Sequence, residues 1–414
     1  MGYTLAEKIL MRNANLQDIH PGDLITVTPD YVGVHDIYNE SLEKKFDSMG
    51  FTKVWDPEKI IILNDHLSPC CLSDDPRNTE VLYRLQDRFG INNIFPTGGI
   101  THQIIPEQGY AKPGGIIFVT DSHTTTYGAV GCFSTGIGHT EMAYIWGMGS
   151  LWLRVPSTIQ IRVEGKLPEH VYAKDIILRV LGDLEADGGS YRSLEFVGST
   201  IDDLSIDDRL TIANMVVECG GKVGLFAADQ KTADYCKMNY EDVAWVKPDA
   251  DAVYERVLNY RAEDLEPYVS CPPFVDNVQP VSSVVGTPVS QIALGSCTNG
   301  RLGDLKIAAE ILENKTVAPN LKFIVTPASN LIIEQAIEAG YLQTLVKAGA
   351  LVTPAYCSFC EGRSLGLLGD DEVMLATNNR NFLGRYGSPK AKVYLCSPAV
   401  AAVSAIHGEI TLPE

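Results

Sequence analysis

Gln291-Ile292-Ala293-Leu294-Gly295-Ser296-Cys297-Thr298-Asn299-Gly300-Arg301 is the stretch that decides the fold. A short apolar run, Gln291 to Leu294, reads as a buried strand. It breaks at a glycine into small polar residues and a cysteine. The same design recurs. Lys59 to Asn64 is an apolar run ending in Asp65-His66, and Gly115 to Thr120 is another ending in Asp121-Ser122-His123. Amphipathic stretches alternate with these runs. Asn78 to Phe89 is a predicted helix with Val81, Leu82 and Leu85 on one face, and Leu305 to Leu312 and Leu331 to Ala339 follow the strands at 291 and 322. This rhythm predicts three-layer α/β/α domains with mostly parallel sheets. Ligands bind such sheets at the carboxyl ends of the strands, so the polar stretches point to one central cleft. Pro156 precedes a fresh strand from Thr158 to Val163, and Cys271-Pro272-Pro273-Phe274 reads as a linker. The expected divisions are therefore an internal break near 157 within 1–275, and a last domain over 276–414.

Cys297 stands alone, whereas Cys357-Ser358-Phe359-Cys360 is a close pair. A structural zinc site closes its tetrahedron with four protein ligands. Three thiolates instead suit a cubane iron–sulfur cluster whose fourth iron stays open, and an open iron can act as a Lewis acid on a hydroxyl or carboxylate. On spacing alone, zinc with a distant fourth ligand remains the alternative.

Composition narrows the classes. The 414 residues carry a net charge of −19, with 45% hydrophobic and 21% charged residues. No basic block offsets that charge, which speaks against nucleic acid or an anionic membrane as partner. No apolar run approaches the ~18 residues of a membrane span, and the N-terminus lacks a secretory pattern. Ten cysteines without such a pattern suggest the reduced thiols of a cytoplasmic protein.

Acid–base candidates lie at the same strand ends. His66, His102 and His123 are three of eight histidines, and Asp65 and Asp121 sit beside two of them. A carboxylate next to an imidazole fixes its tautomer and raises its basicity. Asn214 and Glu218 are four apart, a spacing that places both on one helix face. In Asn379-Arg380-Asn381-Phe382-Leu383-Gly384-Arg385, two arginines offer forks suited to carboxylates. The glycine-rich run from Gly128 to Gly138 has neither a Walker lysine nor a dinucleotide fingerprint.

Taken together, these segments resemble the aconitase superfamily, in particular its members built with separate large subunits, the isopropylmalate isomerases and homoaconitases. The resemblance runs end to end. It rests on Asp65-His66, Gly99-Ile100-Thr101-His102-Gln103, Asp121-Ser122-His123-Thr124, Gly295 to Arg301, Cys357/Cys360 and Asn379 to Arg385. It implies that Cys297, Cys357 and Cys360 hold a [4Fe–4S] cluster with one iron not ligated by protein. It implies an acid–base shell of Asp65, His66, His102, Asp121, His123 and Glu218. Ser122, Asn214, Arg380 and Arg385 are implied substrate contacts, with Asn299 and Asn379 around the cluster. The implied reaction is dehydration and rehydration of a 2-hydroxy di- or tricarboxylate. In the family, the α-proton is taken by a serine of a swivelling domain. This chain stops soon after Arg385, so that domain is expected on a separate small subunit.

Departures bear on the substrate. The loop His35-Asp36-Ile37-Tyr38-Asn39-Glu40 replaces the His-Asp-Gly-Thr-Thr-Pro of isopropylmalate isomerases, which places Glu40 where a substrate contact is expected. An unpaired carboxylate there would repel an extra substrate carboxylate, so a compact methylmalate or dimethylmalate is an alternative to isopropylmalate and homocitrate. Thr101 replaces a cysteine, and Ser358-Phe359 replaces Gly-Pro. Competing classes are an RNA-binding regulator of the apo-aconitase kind, disfavoured by charge, a catalytically dead scaffold and a zinc hydrolase.

Overall fold

A computed structural model describes residues 2–413. The chain divides into two compact units. One comprises Met1–Thr97, Ile104–Glu164 and Gly189–Tyr260, and the other Gly98–Gln103, Gly165–Gly188 and Arg261–Glu414. The unit boundaries at 164 and 260 compare with the expected divisions near 157 and 275. The second unit also takes the short segment 98–103 from early in the chain.

The first unit holds a sheet of five parallel strands, in spatial order Asn93–Phe95, Ile60–Leu63, Tyr31–His35, Ile116–Val119, Phe133–Gly136. Every residue of Ile60–Leu63 and Ile116–Val119 is buried, as the unbroken apolar runs require of strands covered on both faces. The chain first steps outward on one side of Tyr31–His35, then returns to build the other side. The reversal falls between Tyr31–His35 and Ile116–Val119, and such a switch point opens a crevice at the carboxyl ends of the strands. Val223–Phe226, Ser193–Val197 and Thr158–Glu164 pair in parallel in a second sheet of this unit. Helix Pro76–Phe89 starts two residues before its predicted boundary because proline is preorganised for the first turn. It ends at Gly90, whose φ of 71° closes it. Val81, Leu82 and Leu85 are its buried residues, as predicted.

In the second unit a seven-stranded sheet runs Val278–Pro280, Tyr268–Ser270, Lys392–Leu395, Val373–Ala376, Gln291–Gly295, Lys322–Thr326, Leu351–Val352. The last five strands are parallel, and Tyr268–Ser270 joins antiparallel. Here the reversal falls between Gln291–Gly295 and Val373–Ala376. Ile292, Leu294, Phe323, Val325 and Leu375 pack with Leu305, Ala308 and Leu345 from the covering helices. Each such apolar side chain contributes about 1.5–3 kcal/mol on burial. Helix Leu302–Leu312 begins earlier than predicted because the Asp304 carboxylate accepts the Arg301 amide at 2.9 Å and caps the first turn. Among the described residues no helix is long and apolar enough to cross a membrane.

Candidate active site

Each unit gathers its candidate residues at its own switch point. In the first unit, His35 and Asp36 end one strand, Asp65 and His66 follow its neighbour, and Asp121, Ser122 and His123 follow the strand across the reversal. The His35 Nε2 lies 2.9 Å from the Thr120 carbonyl oxygen, so the ring donates there and spans the reversal. The rings of His35 and His66 stack with centroids 4.3 Å apart. His66 Nδ1 lies 2.8 Å from the Asp65 carboxylate, and its Nε2 lies 3.4 Å from Asp121 Oδ2. His123 Nε2 meets Glu218 Oε1 at 2.8 Å, while the His123 amide donates to Asp121 Oδ1 at 2.7 Å. Asp65, His66, Asp121, His123 and Glu218 thus form one linked group. Ser122 and Asp121 line a cavity of about 460 Å³ in the same unit.

His35 and Asp36 were not among the expected site residues, although both stood in the loop that departs from the family pattern. Burial, with the charge of His66, holds the His35 pKa down at about 4, so that ring is neutral at pH 7. Burial and the nearby Asp65 push the Asp36 carboxyl well up. Its two oxygens accept the amides of His66 and Leu67 at 3.2 and 2.7 Å, which fixes the backbone from which the His66 ring projects.

Two expectations need correction. Asn214 and Glu218 do not share one α-helix. The helix Ile206–Met215 ends before the paired β-branched residues Val216 and Val217, and Glu218 lies in the tighter 3₁₀ turn Val216–Cys219. That turn swings Glu218 to His123, while the Asn214 amide donates to Thr126 Oγ1 at 2.9 Å. Glu40 is not an unpaired charge. It opens helix Asn39–Ser48 and pairs with Arg77 at 2.7 Å and Lys44 at 2.8 Å, which hold its pKa below the usual range. Those two cations satisfy the carboxylate, so its expected repulsion of substrate loses its physical basis. Glu40→Gln should therefore leave the melting midpoint unmoved and, in the activity the resemblance implies, the preference between isopropylmalate and methylmalate as well. A shifted substrate ratio would restore the sequence reading.

In the second unit, Cys297, Cys357 and Cys360 converge on Ile100 in a buried apolar group. None of the three is in a disulfide, and they are exposed by 2, 8 and 4%. Gly295, with φ 137°, sharpens the turn before Cys297, and a Cβ there would run into the Thr326 carbonyl oxygen. The Asn379 side chain spans two of the sulfurs, accepting from Cys360 Sγ at 3.3 Å and donating to Cys297 Sγ at 3.5 Å. Burial works against the Arg385 charge, but Cys360, Tyr386 and Cys357 hold its pKa above the ordinary value. Arg380 is half-buried. His102 is buried two residues beyond Ile100, on the segment pinned by the Ile100 amide to the Ala328 carbonyl at 2.9 Å.

Sequence reasoning missed the supports beneath these thiols. Arg301 is fully buried and donates to the carbonyls of Cys297 and Thr298 at 2.7 and 2.9 Å, and to Gln103 at 3.0 Å. Lys174, also fully buried, donates to the carbonyls of Thr377 and Asn378 at 2.7 Å each and to Asn299 Oδ1 at 3.3 Å. Burial pulls its pKa down to about 8. The available signal was a lysine on the apolar stripe it shares with Ile177, Leu178 and Leu181.

Its neighbour Asp175 accepts the amides of Tyr172 and Tyr268 at 2.9 Å each, and burial raises its pKa from 3.8 to about 7. Between about pH 4 and 7 the folded chain then binds more protons than the unfolded one, so stability falls as pH rises through that window. In Asp175→Asn that contribution should vanish, flattening the melting midpoint between pH 4 and 7. An unchanged slope would assign the effect elsewhere.

A model of the aconitase family (aconitate hydratase) matches residues 7–408. The chain belongs to the aconitase family. It is 44% identical to a probable 3-isopropylmalate dehydratase large subunit of Methanothermobacter thermautotrophicus, over 100% of this chain and 99% of that relative. A probable methanogen homoaconitase large subunit of the same organism is 42% identical, over 99% of this chain and 97% of that relative. Among solved structures, Thermococcus kodakaraensis aconitase X in its holo form shares the fold. Its TM-score is 0.50 at 15% identity, covering 91% of this chain and 89% of that one. Membership of the aconitase family implies an iron–sulfur cluster. The buried thiols fit such a group: none is in a disulfide, Asn379 bridges Cys297 and Cys360, and no fourth cysteine joins their buried group among the described residues.

Proposed function

We propose that this chain is the large catalytic subunit of a 3-isopropylmalate dehydratase, a hydro-lyase that dehydrates and rehydrates a 2-hydroxy dicarboxylate. The observation that carries the reading is the convergence of Cys297, Cys357 and Cys360 in a full-length relative of such subunits. In this reading the three thiolates hold a [4Fe–4S] cluster that leaves one iron without a protein ligand. When bound, that cluster supplies a Lewis acid for a substrate hydroxyl and carboxylate.

The remaining work falls to the chain's own side chains. His66 keeps Nδ1 on Asp65, which orients the ring and stabilises its protonated form, so Nε2 is the atom that delivers a proton to a departing hydroxyl. Asp121 stands beside that nitrogen, and Glu218 steadies His123 through its Nε2. His102 belongs to the same proposed acid–base shell. Ser122 and Asn214, with Arg380 and Arg385, are the proposed substrate contacts, the arginines as forks for carboxylates. Asn299 and Asn379 hold the surroundings of the cluster. The partner is a small subunit whose swivelling domain brings the serine base. Homocitrate is the alternative substrate, favoured by the 42% identity to a homoaconitase large subunit.

The deciding experiment is anaerobic co-purification of the chain with a small subunit, followed by kinetics on isopropylmalate, homocitrate and methylmalate. The expected result is turnover by the pair, with isopropylmalate preferred, and none by the large chain alone. Full turnover by the isolated chain, or a clear preference for another acid, overturns the assignment.

A further inference from the structure

The first unit's five-stranded sheet also has an edge where its strands begin, away from His35, Asp65 and Asp121. Tyr31 and His35 stand at opposite ends of one strand, about 13 Å apart in extended chain. A cavity of about 330 Å³ opens at the Tyr31 end. Three cations line it: Arg12, Lys59 just before Ile60–Leu63, and Lys112 shortly before Ile116–Val119.

These three cations share one concavity although the chain as a whole is acidic. The chain has 52 acidic against 33 basic residues, and elsewhere in the same unit Lys8, Lys44, Arg77, Arg84 and Arg88 each pair with a carboxylate. Among the described residues, Arg12, Lys59 and Lys112 make no ion pair. Asp30 is the lone acid of the lining, and its Oδ2 is engaged by the Ile116 amide at 2.8 Å. Arg12 is held in place by stacking over Trp245 at 4.5 Å. Tyr31 and Tyr110 form an edge-to-face pair at 5.0 Å and supply a firm wall. An anion seated in a concavity lined by three cations that have no carboxylate partner would take charge-assisted hydrogen bonds from them.

We propose that this cavity binds a small oxyanion bearing two or more negative charges, either a phosphate ester or a polycarboxylate. The site is separate from the acid–base group and does not depend on the proposed reaction.

The test is isothermal titration of the full chain with inorganic pyrophosphate, ADP and citrate at matched ionic strength. The unmodified protein is compared with Lys59→Ala/Lys112→Ala and with the single Lys112→Ala. Arg12 is left intact because its stacking on Trp245 contributes to packing. At least one probe should bind saturably, and the double change should weaken it roughly tenfold, with the single change intermediate. Melting midpoints should stay unchanged. Binding of pyrophosphate and ADP alone assigns a phosphate ligand; binding of citrate alone assigns a polycarboxylate. The proposal fails if no probe binds saturably, or if binding is indifferent to the loss of both lysines, since that uptake belongs to another site.

Discussion

Cys360→Ala, purified without oxygen beside the unmodified chain, should emerge colourless and without catalytic activity even when supplied with its small subunit. Cys360 is held by the Asn379 carbonyl oxygen, and together with Cys357 it supports the Arg385 charge. Two remaining thiolates cannot anchor a cubane that needs three. Iron and acid-labile sulfide should fall from about four each per chain to near zero. The loss should not come from misfolding: removing one small side chain from this pocket leaves the apolar cores of both units untouched. A variant that keeps its colour and its sulfide would remove the thiols from the proposed site.

His66→Ala should separate the acid–base group from the thiols. The cluster colour should survive, because the proposed ligands are the three thiols and His66 is not one of them. Turnover should fall by about 10²–10⁴-fold, the range for removing a positioned general acid. Asp65→Asn should produce a smaller loss, since the amide still meets Nδ1 but no longer stabilises a charged ring. The measurement is kcat on isopropylmalate for the reconstituted pair, with iron content as the control. Near-normal kcat in His66→Ala would transfer the proton to another group.

Much of the fold was legible because parallel strands covered on both faces leave unbroken apolar runs, as at Ile60–Leu63 and Ile116–Val119. The polar residues after those runs were legible for the same reason, since a buried strand that turns abruptly polar has reached a sheet edge. Pairings made in space were not. Glu40 looked like an unpaired charge because Arg77, its partner, lies 37 residues away on another helix. Glu218 read as helical because only the β-branched pair Val216-Val217 marks the change from α to 3₁₀ winding before it. Lys174 gave only the weak signal of a charge on an apolar stripe, because its three acceptors come from distant strand ends.

The setting of Lys174 also governs how the thiol pocket opens. Its ammonium is dehydrated against carbonyls from residues 377 and 378 and the side chain of Asn299, so withdrawing any one of them strands a charge in a dry interior. Fraying one segment at a time is therefore costly, and helix Ala173–Leu184 should detach from both strand ends together. In amide exchange these three stretches should behave as one cooperative block with a common opening free energy. Loosening in any of them then reaches the cysteines, and solvent gains access to the sulfurs in a single event.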